Sequence, residues 1–244
     1  MTDNKISYKN WQKVWNNRNA NFSDTDDLLQ QLILANGFDT GVGDYSIQDW
    51  KILTSFIAKE FGLSINSNVF EIGCGSGAFL QSLQDHSSCK IYGIDYSQNL
   101  IKLAKKYLKG SFELKEAIED WSLNIDMDVI ISHSVFNYFP DNDYVLKTLN
   151  NSFRNLRKGG LLIIMDLNNI EMEQEYHSER KKLYKSPEEY DEKYQNHQHL
   201  FFSKNELLSL LKKVGFKEVK FFKNPCKNYK NSKFRFNLSA KKIN

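Results

Sequence analysis

The sequence predicts a doubly wound α/β fold, and three observations carry that prediction. From residue 68 onward, short apolar runs alternate with single helical stretches, a rhythm that implies right-handed crossovers and a parallel sheet. Residues 161–165, Leu-Leu-Ile-Ile-Met, are apolar without alternation, as in a strand covered on both faces. Residues 69–72 run directly into Gly73-Cys74-Gly75-Ser76-Gly77, a turn that opens a helix. A chain of 244 residues suits one large domain, or a domain with a cap.

Taken in order, residues 1–62 read as a helical N-terminal cap and residues 63–244 as the α/β domain. Tyr8, Trp11 and Trp15 stand at i, i+3 and i+7, one face of a first helix. Residues 24–35 form a second amphipathic helix, broken by Asn36-Gly37. The glycine-rich loop at 37–43 is placed to act as a gate beside the cap. Trp50, Leu53, Phe56, Ile57 and Phe61 give a third helix over 47–61, stopped at Gly62. Strands are expected at 69–72, 90–94, 111–115, 127–132, 161–165, 217–222 and 234–240. Helices are expected from residue 78, over 99–108, over 144–156 and over 207–214. Lys158-Gly159-Gly160 closes the third of these, and a turn at Asn224-Pro225 joins the last two strands. Ser203 and Glu206 have capping-box spacing, and Gly215 ends the helix they start. Residues 167–202, charged and rich in Tyr and His, break the rhythm. They read as a lid inserted over the open sheet edge, with a helix starting at Ser186-Pro187-Glu188-Glu189.

Composition excludes several classes. No run of about 18 apolar residues exists, so no transmembrane helix and no membrane partner are expected. The first residues lack the apolar core of a secretory signal. Cys74, Cys89 and Cys226 form no CxxC pair, which fits a reduced, cytoplasmic protein without disulfides or a thiolate zinc site. A formal charge of +3 gives no argument for nucleic acid. Oligomeric state has no signature here.

The turn at 73–77 carries the chemistry. Its glycines let backbone approach a ligand, and the helix N-terminus offers free N–H groups. Two spacings compete. Gly73-x-Gly75-x-x-Ala78 fits the dinucleotide fingerprint. Gly73-x-Gly75-x-Gly77, preceded by Glu71, points instead to a cationic ligand, because a carboxylate at the strand end repels a pyrophosphate. Asp95 ends the second strand, where dinucleotide-binding proteins also carry an acid, so it does not separate the two spacings.

The segment Glu71-Ile72-Gly73-Cys74-Gly75-Ser76-Gly77, followed by Asp95, resembles the class I S-adenosylmethionine-dependent methyltransferases. The resemblance covers residues 47–166 and extends more weakly to 240. It implies a seven-stranded, mostly parallel sheet whose last strand is antiparallel. It implies S-adenosylmethionine as cofactor and S-adenosylhomocysteine as product. Glu71, Gly73, Cys74, Gly75 and Gly77 would hold the amino-acid part, and Asp95 with Tyr96 the ribose. Glu116, Ala117 and Ile118 would read the adenine, with Glu119-Asp120 as a neighbouring alternative. Ser132 and His133 would face the cofactor, and Tyr138 the substrate. The segment 132–139 is not the Asp/Asn-Pro-Pro-Tyr of amino-group methylases. Nor does it hold the Pro-Cys of cytosine-C5 methylases, since Pro225-Cys226 falls between the last two strands.

Two histidines are candidate catalytic residues. His133 suits a general base toward a hydroxyl, or a lining of the cofactor pocket. His177, Arg180 and Tyr184 share a helix face at i, i+3 and i+7, which suits a polar or anionic substrate, or a solvated lid helix. His197-x-His199 has no carboxylate or thiol companion at ligand spacing, so no metal is expected. Trp11, Trp15 and Arg18 either close over the cofactor or pack the cap. Residues 231–237 return polar groups to the sheet edge near the substrate. The expected reaction is methyl transfer to an oxygen or nitrogen of a small molecule or sugar, as in bacterial surface-polysaccharide or natural-product biosynthesis. Two rivals stand beside it. One is a nicotinamide-dependent oxidoreductase, which Tyr229-x-x-x-Lys233 would serve. The other is a non-catalytic binding scaffold.

Overall fold

Three helices precede the first strand of the computed structural model, which describes residues 3–18, 27–38, 45–121 and 123–243. They are α1 (Asp3–Asn16), α2 (Leu28–Ala35) and α3 (Ile47–Glu60). Asp27 caps α2 by accepting from Leu29 N at 2.9 Å, and Ser46 caps α3 by accepting from Asp49 N at 3.0 Å. Residues 24–26 of the expected second helix and 39–43 of the expected gate lie outside the described residues.

The α/β region then runs β1 (Asn68–Ile72), α4 (Ala78–Ser87), β2 (Lys90–Asp95), α5 (Gln98–Tyr107), β3 (Ser111–Leu114), β4 (Met127–His133), α6 (Asn142–Asn155) and β5 (Leu156–Asn168). After β5 come α7 (Glu173–Lys181), α8 (Pro187–Tyr194), α9 (Lys204–Val214), β6 (Lys217–Phe222) and β7 (Arg235–Lys241). The seven strands lie in the order β3-β2-β1-β4-β5-β7-β6. β1 to β5 pair in parallel, and β7 runs antiparallel between β5 and β6. This is the seven-stranded sheet the resemblance implies, last strand reversed.

Helices cover both faces, which explains the unalternating strands. On one face α2, α3, α4 and α5 bury Leu32, Trp50, Leu53, Phe79 and Ile101 against Val69, Ile91 and Ile131. On the other, α6 and α9 bury Val145, Leu149, Leu207 and Leu211 against Phe70, Ile130 and Ile164. Cap helices and sheet therefore share a core. Trp50 is 0% exposed, and fully burying a side chain of this size contributes roughly 2–3 kcal/mol.

Two boundaries differ from the sequence expectation. β5 begins at Leu156, paired with Met127, so Gly159 and Gly160 lie inside the strand instead of closing α6. Gly159, at φ +78°, turns its N–H to Lys242 O at 2.7 Å, and Lys242 N donates back to Gly160 O at 3.0 Å. The antiparallel end of the sheet thus extends the strand. Second, β6 and β7 are separated by a turn and a 3-10 segment, Lys230–Phe234, so β7 starts at Arg235.

The carboxyl ends of β4 and β5 carry Ser134 and Asp166, both in left-handed backbone at φ +58° and +65°. Non-glycine residues held there cost on the order of 1–3 kcal/mol and gather at functional sites. The β5–β7 register shifts between Ile164 and Leu167, around Asp166. Among the described residues, no helix is long and apolar enough to cross a membrane.

Candidate active site

The strand ends open on a cavity of about 540 Å³, with Gly73, Gly75, Asp95, His133, Arg180 and Arg235 on its wall. The glycine turn forms one end. At Gly73 (φ +70°) an added Cβ would lie 2.5 Å from Val135 Cγ2, and at Gly75 (φ +54°) it would collide with Asn36 Oδ1. Bare backbone is required at both. Asn36, at the end of α2, clamps the turn: its Oδ1 accepts from Ser76 N at 2.7 Å and its Nδ2 donates to Cys74 O at 3.4 Å.

Asp95 stands where the turn meets β2. Oδ2 accepts from Gly75 N at 2.9 Å and Oδ1 from Ser97 N at 2.7 Å, which leaves each oxygen a free lone pair. Burial pushes this carboxyl up to about 6, against the two backbone N–H bonds that favour its charge. Glu71 sits beneath the turn, 3% exposed and off the cavity wall. Its Oε2 has no partner, and burial, with Asp95 second, holds its carboxyl well above the usual range. Cys74 and Gly77 also lie off the wall. Burial raises the Cys74 thiol, which packs against Gly93.

Ala117, Tyr96 and Tyr144 line the end expected for adenine, whereas Glu116 and Ile118 lie off the wall. Glu116 accepts from Gln12 Nε2 at 2.8 Å and from Tyr8 Oη at 3.3 Å, and so anchors α1. α1 roofs the cavity. Trp15 O accepts from Ser97 Oγ at 2.9 Å, and Trp11 Nε1 donates to Gln198 O at 3.0 Å. Trp11 also stacks on His199, ring centres 4.8 Å apart, and meets Tyr138 edge-on at 5.0 Å. The helix thereby joins the loop after β2 to the segment after α8.

At the opposite end, His133 is caged by Phe38, Trp50 and Phe79 at 5.3–5.5 Å. Burial pulls its pKa down to about 4, so the imidazole is neutral at pH 7, and Nε2 has no partner. Ser132 lies off the wall, its Oγ donating to Ile72 O at 3.2 Å. Tyr138 and Arg180 are on the wall. His177 and Tyr184 are not: His177 Nδ1 of α7 pairs with Tyr190 Oη of α8 at 2.7 Å, and Tyr184, which lies beyond the end of α7 at Lys181 and so does not share its face, pairs through Oη with Tyr194 Oη at 3.3 Å.

Sequence reasoning missed the group around Asp166. Its carboxylate, 2% exposed, pairs with Arg235 and accepts from Ser134 Oγ and, at 2.8 Å, from Tyr229 Oη. Asp166 N donates to Asn237 Oδ1 at 2.8 Å, and Asp166 O accepts from Asn137 Nδ2 at 2.7 Å. An acid directly after the apolar run of the fifth strand, placed as Asp95 is after the second, was the available signal. Among the described residues no group of three potential metal ligands comes together.

A β3-β2-β1-β4-β5-β7-β6 sheet, a glycine turn after β1 and a carboxylate closing β2 define the architecture of the class I S-adenosylmethionine-dependent methyltransferases. A family model described as a methyltransferase domain matches residues 63–215, and the chain belongs to that family. It is 28% identical over 114 residues to a malonyl-[acyl-carrier protein] O-methyltransferase of Bacillus anthracis, covering 46% of this chain and 41% of the relative. It is 27% identical over 104 residues to a trans-aconitate 2-methyltransferase of Rhodopseudomonas palustris, covering 42% and 40%. The chain thus matches less than half the length of either relative. In fold it is similar to the N-methyltransferase NodS of Bradyrhizobium japonicum crystallised with S-adenosylhomocysteine, with a TM-score of 0.59 at 16% identity, covering 90% of this chain and 100% of that one.

Proposed function

We propose that the protein transfers the methyl group of S-adenosylmethionine to an oxygen or nitrogen of a small molecule, leaving S-adenosylhomocysteine. One observation carries this reading: the glycine turn and Asp95 share a hydrogen bond on the cavity wall, and both Asp95 oxygens keep a lone pair for a diol. The bound cofactor would supply a methyl on a cationic sulfur that departs as a neutral thioether.

The chain's own residues bind and orient. Asp95 takes the ribose hydroxyls, Ala117 and Tyr96 the adenine, and the backbone at Gly73 and Gly75 the amino-acid part. Arg18, beside Gly37 at the same end, is placed for that part's carboxylate. His133, neutral and with Nε2 unpaired, is placed to take the proton of an acceptor that carries one as the acceptor's lone pair bonds the methyl carbon; an acceptor already ionised needs no such base. The low basicity of His133 means that alignment and exclusion of water by α1 and the lid contribute more than proton transfer. In this reading residues 1–62 are the cap, 63–244 the catalytic domain and 167–202 the lid.

The oxidoreductase rival loses its Tyr–Lys pair. Tyr229 is buried on Asp166, whereas Lys233 is exposed and paired with Glu175. Isothermal titration with S-adenosylmethionine, S-adenosylhomocysteine and NADH tests the proposal. The adenosyl ligands are expected to bind, at least about tenfold more weakly in Asp95→Ala. Binding of NADH alone would overturn it.

A further inference from the structure

We propose that the methyl acceptor is a small oxyanion, a carboxylate or phosphate, and that Arg180 of the lid is the residue that holds it. The inference rests on the methyl-transfer reading and names the acceptor class of that same site.

Arg180 lines the cavity, yet its charge has no counterpart among the described residues. The buried Arg235 pairs with Asp166, Lys181 with Asp191 and Lys233 with Glu175. The Arg180 guanidinium lies over the Tyr176 ring at 4.4 Å, and its one polar contact is the neutral Asn231 Oδ1 at 3.4 Å. Its Nε is buried without any partner. A guanidinium carries five donors in a planar fork that matches carboxylate and phosphate. A half-buried guanidinium on a cavity wall, with its Nε unpartnered and no acidic side chain beside it, points to an anion that arrives with the ligand.

The rest of this end agrees. Asp95 is the single acidic residue lining the cavity among the described residues, and it lies at the ribose end. Lys193 and Arg235 line the wall with Arg180. His199, on the same wall, is held well below its ordinary pKa by burial first and by Arg180 and Arg235 next, so it stays neutral beside them.

Hydrogen bonds place Arg180 on the acceptor's side. Arg180 reaches Asn231, Asn231 Nδ2 donates to Tyr229 Oη at 3.4 Å, and Tyr229 Oη donates to Asp166, which also holds Ser134 at the end of β4. Arg18, by contrast, lies against Gly37 near the glycine turn.

The test is isothermal titration of citrate and of inorganic phosphate into S-adenosylhomocysteine-saturated protein, with sorbitol as the neutral control. Wild type, Arg180→Gln and Arg180→Lys are compared. At least one oxyanion is expected to bind wild type while sorbitol does not, about tenfold or more weakly in Arg180→Gln and to an intermediate degree in Arg180→Lys. Affinity for S-adenosylhomocysteine should be the same in all three, which also shows that the variants fold. The relative strength of the two probes separates a carboxylate from a phosphate acceptor. The proposal is overturned if neither oxyanion binds, if Arg180→Gln binds it as well as wild type, or if Arg180→Gln loses S-adenosylhomocysteine, which would give Arg180 to the cofactor's carboxylate. Failure of wild type to bind S-adenosylhomocysteine before any oxyanion is added would instead strike the methyl-transfer reading, and this proposal with it.

Discussion

Two carboxylates sit at the ends of parallel strands, and their partners divide their work. Asp95 has two backbone N–H groups and spare lone pairs facing the cavity, whereas Asp166 is filled by Arg235, Tyr229 and Ser134. Because burial raises Asp95 to about 6, its charged form, which accepts from a diol, is lost as pH falls through that value. Affinity for S-adenosylhomocysteine is therefore expected to weaken below about pH 6, and Asp95→Asn should bind weakly with a flattened profile across pH 5–8. Titration calorimetry over that range checks it; an unchanged slope in the variant would assign the titration elsewhere. At this scale the glycine turn and Asp95 were legible because each acts within a short contiguous stretch. The Asp166 group was not, since Tyr229 and Arg235 reach it only through a strand that returns antiparallel.

Among the elements, α1 matters most to the site. Ser7, Trp11 and Trp15 tie it to the segment after α8 on one side and to Ser97 on the other. Trp11→Ala removes the stack on His199 and the bond to Gln198 O, worth together about 1–3 kcal/mol. Faster amide exchange across α1 and a several-fold higher KM for the acceptor are expected, measured by hydrogen exchange and steady-state kinetics. Unchanged exchange would make the helix a rigid wall. That His177 and Arg180 share a helix was readable, but the helix ends at Lys181, before Tyr184, and which stripe faces the cavity was not readable. Tyr190 and Tyr194 of α8 draw His177 and Tyr184 inward and leave Arg180 to the cavity. β5 was read too short for a comparable reason: Gly159-Gly160 looks like a helix stop until Lys242 pairs beside it.

For the whole molecule, strand count and the helices before β1 followed from periodicity, because each crossover is local in sequence. That β7 runs antiparallel followed only from the family resemblance, and its place between β5 and β6 was not read at all. Asp166 joins the ends of β4, β5 and β7 through Ser134, Arg235 and Asn237. Asp166→Asn leaves the Arg235 guanidinium, 10% exposed, without its anion. Breaking a buried pair from one side costs about 3–5 kcal/mol. Thermal unfolding monitored by circular dichroism should show a large loss for this variant and a small one for Asp95→Asn. Similar losses in both would refute the division of roles.

The slot that β7 fills has a further consequence. β6 pairs with β7 alone, and β7 with the turn before it brings Arg235, Tyr229 and Asn231 to a rim whose other residues come earlier in the chain. On a ribosome, the residues of β1 to β5 emerge before those of the last strand. Until it emerges, Asp166 lacks its cation and the rim stays open. The Asp166 end of the rim is therefore completed only once residues 235–241 join the sheet.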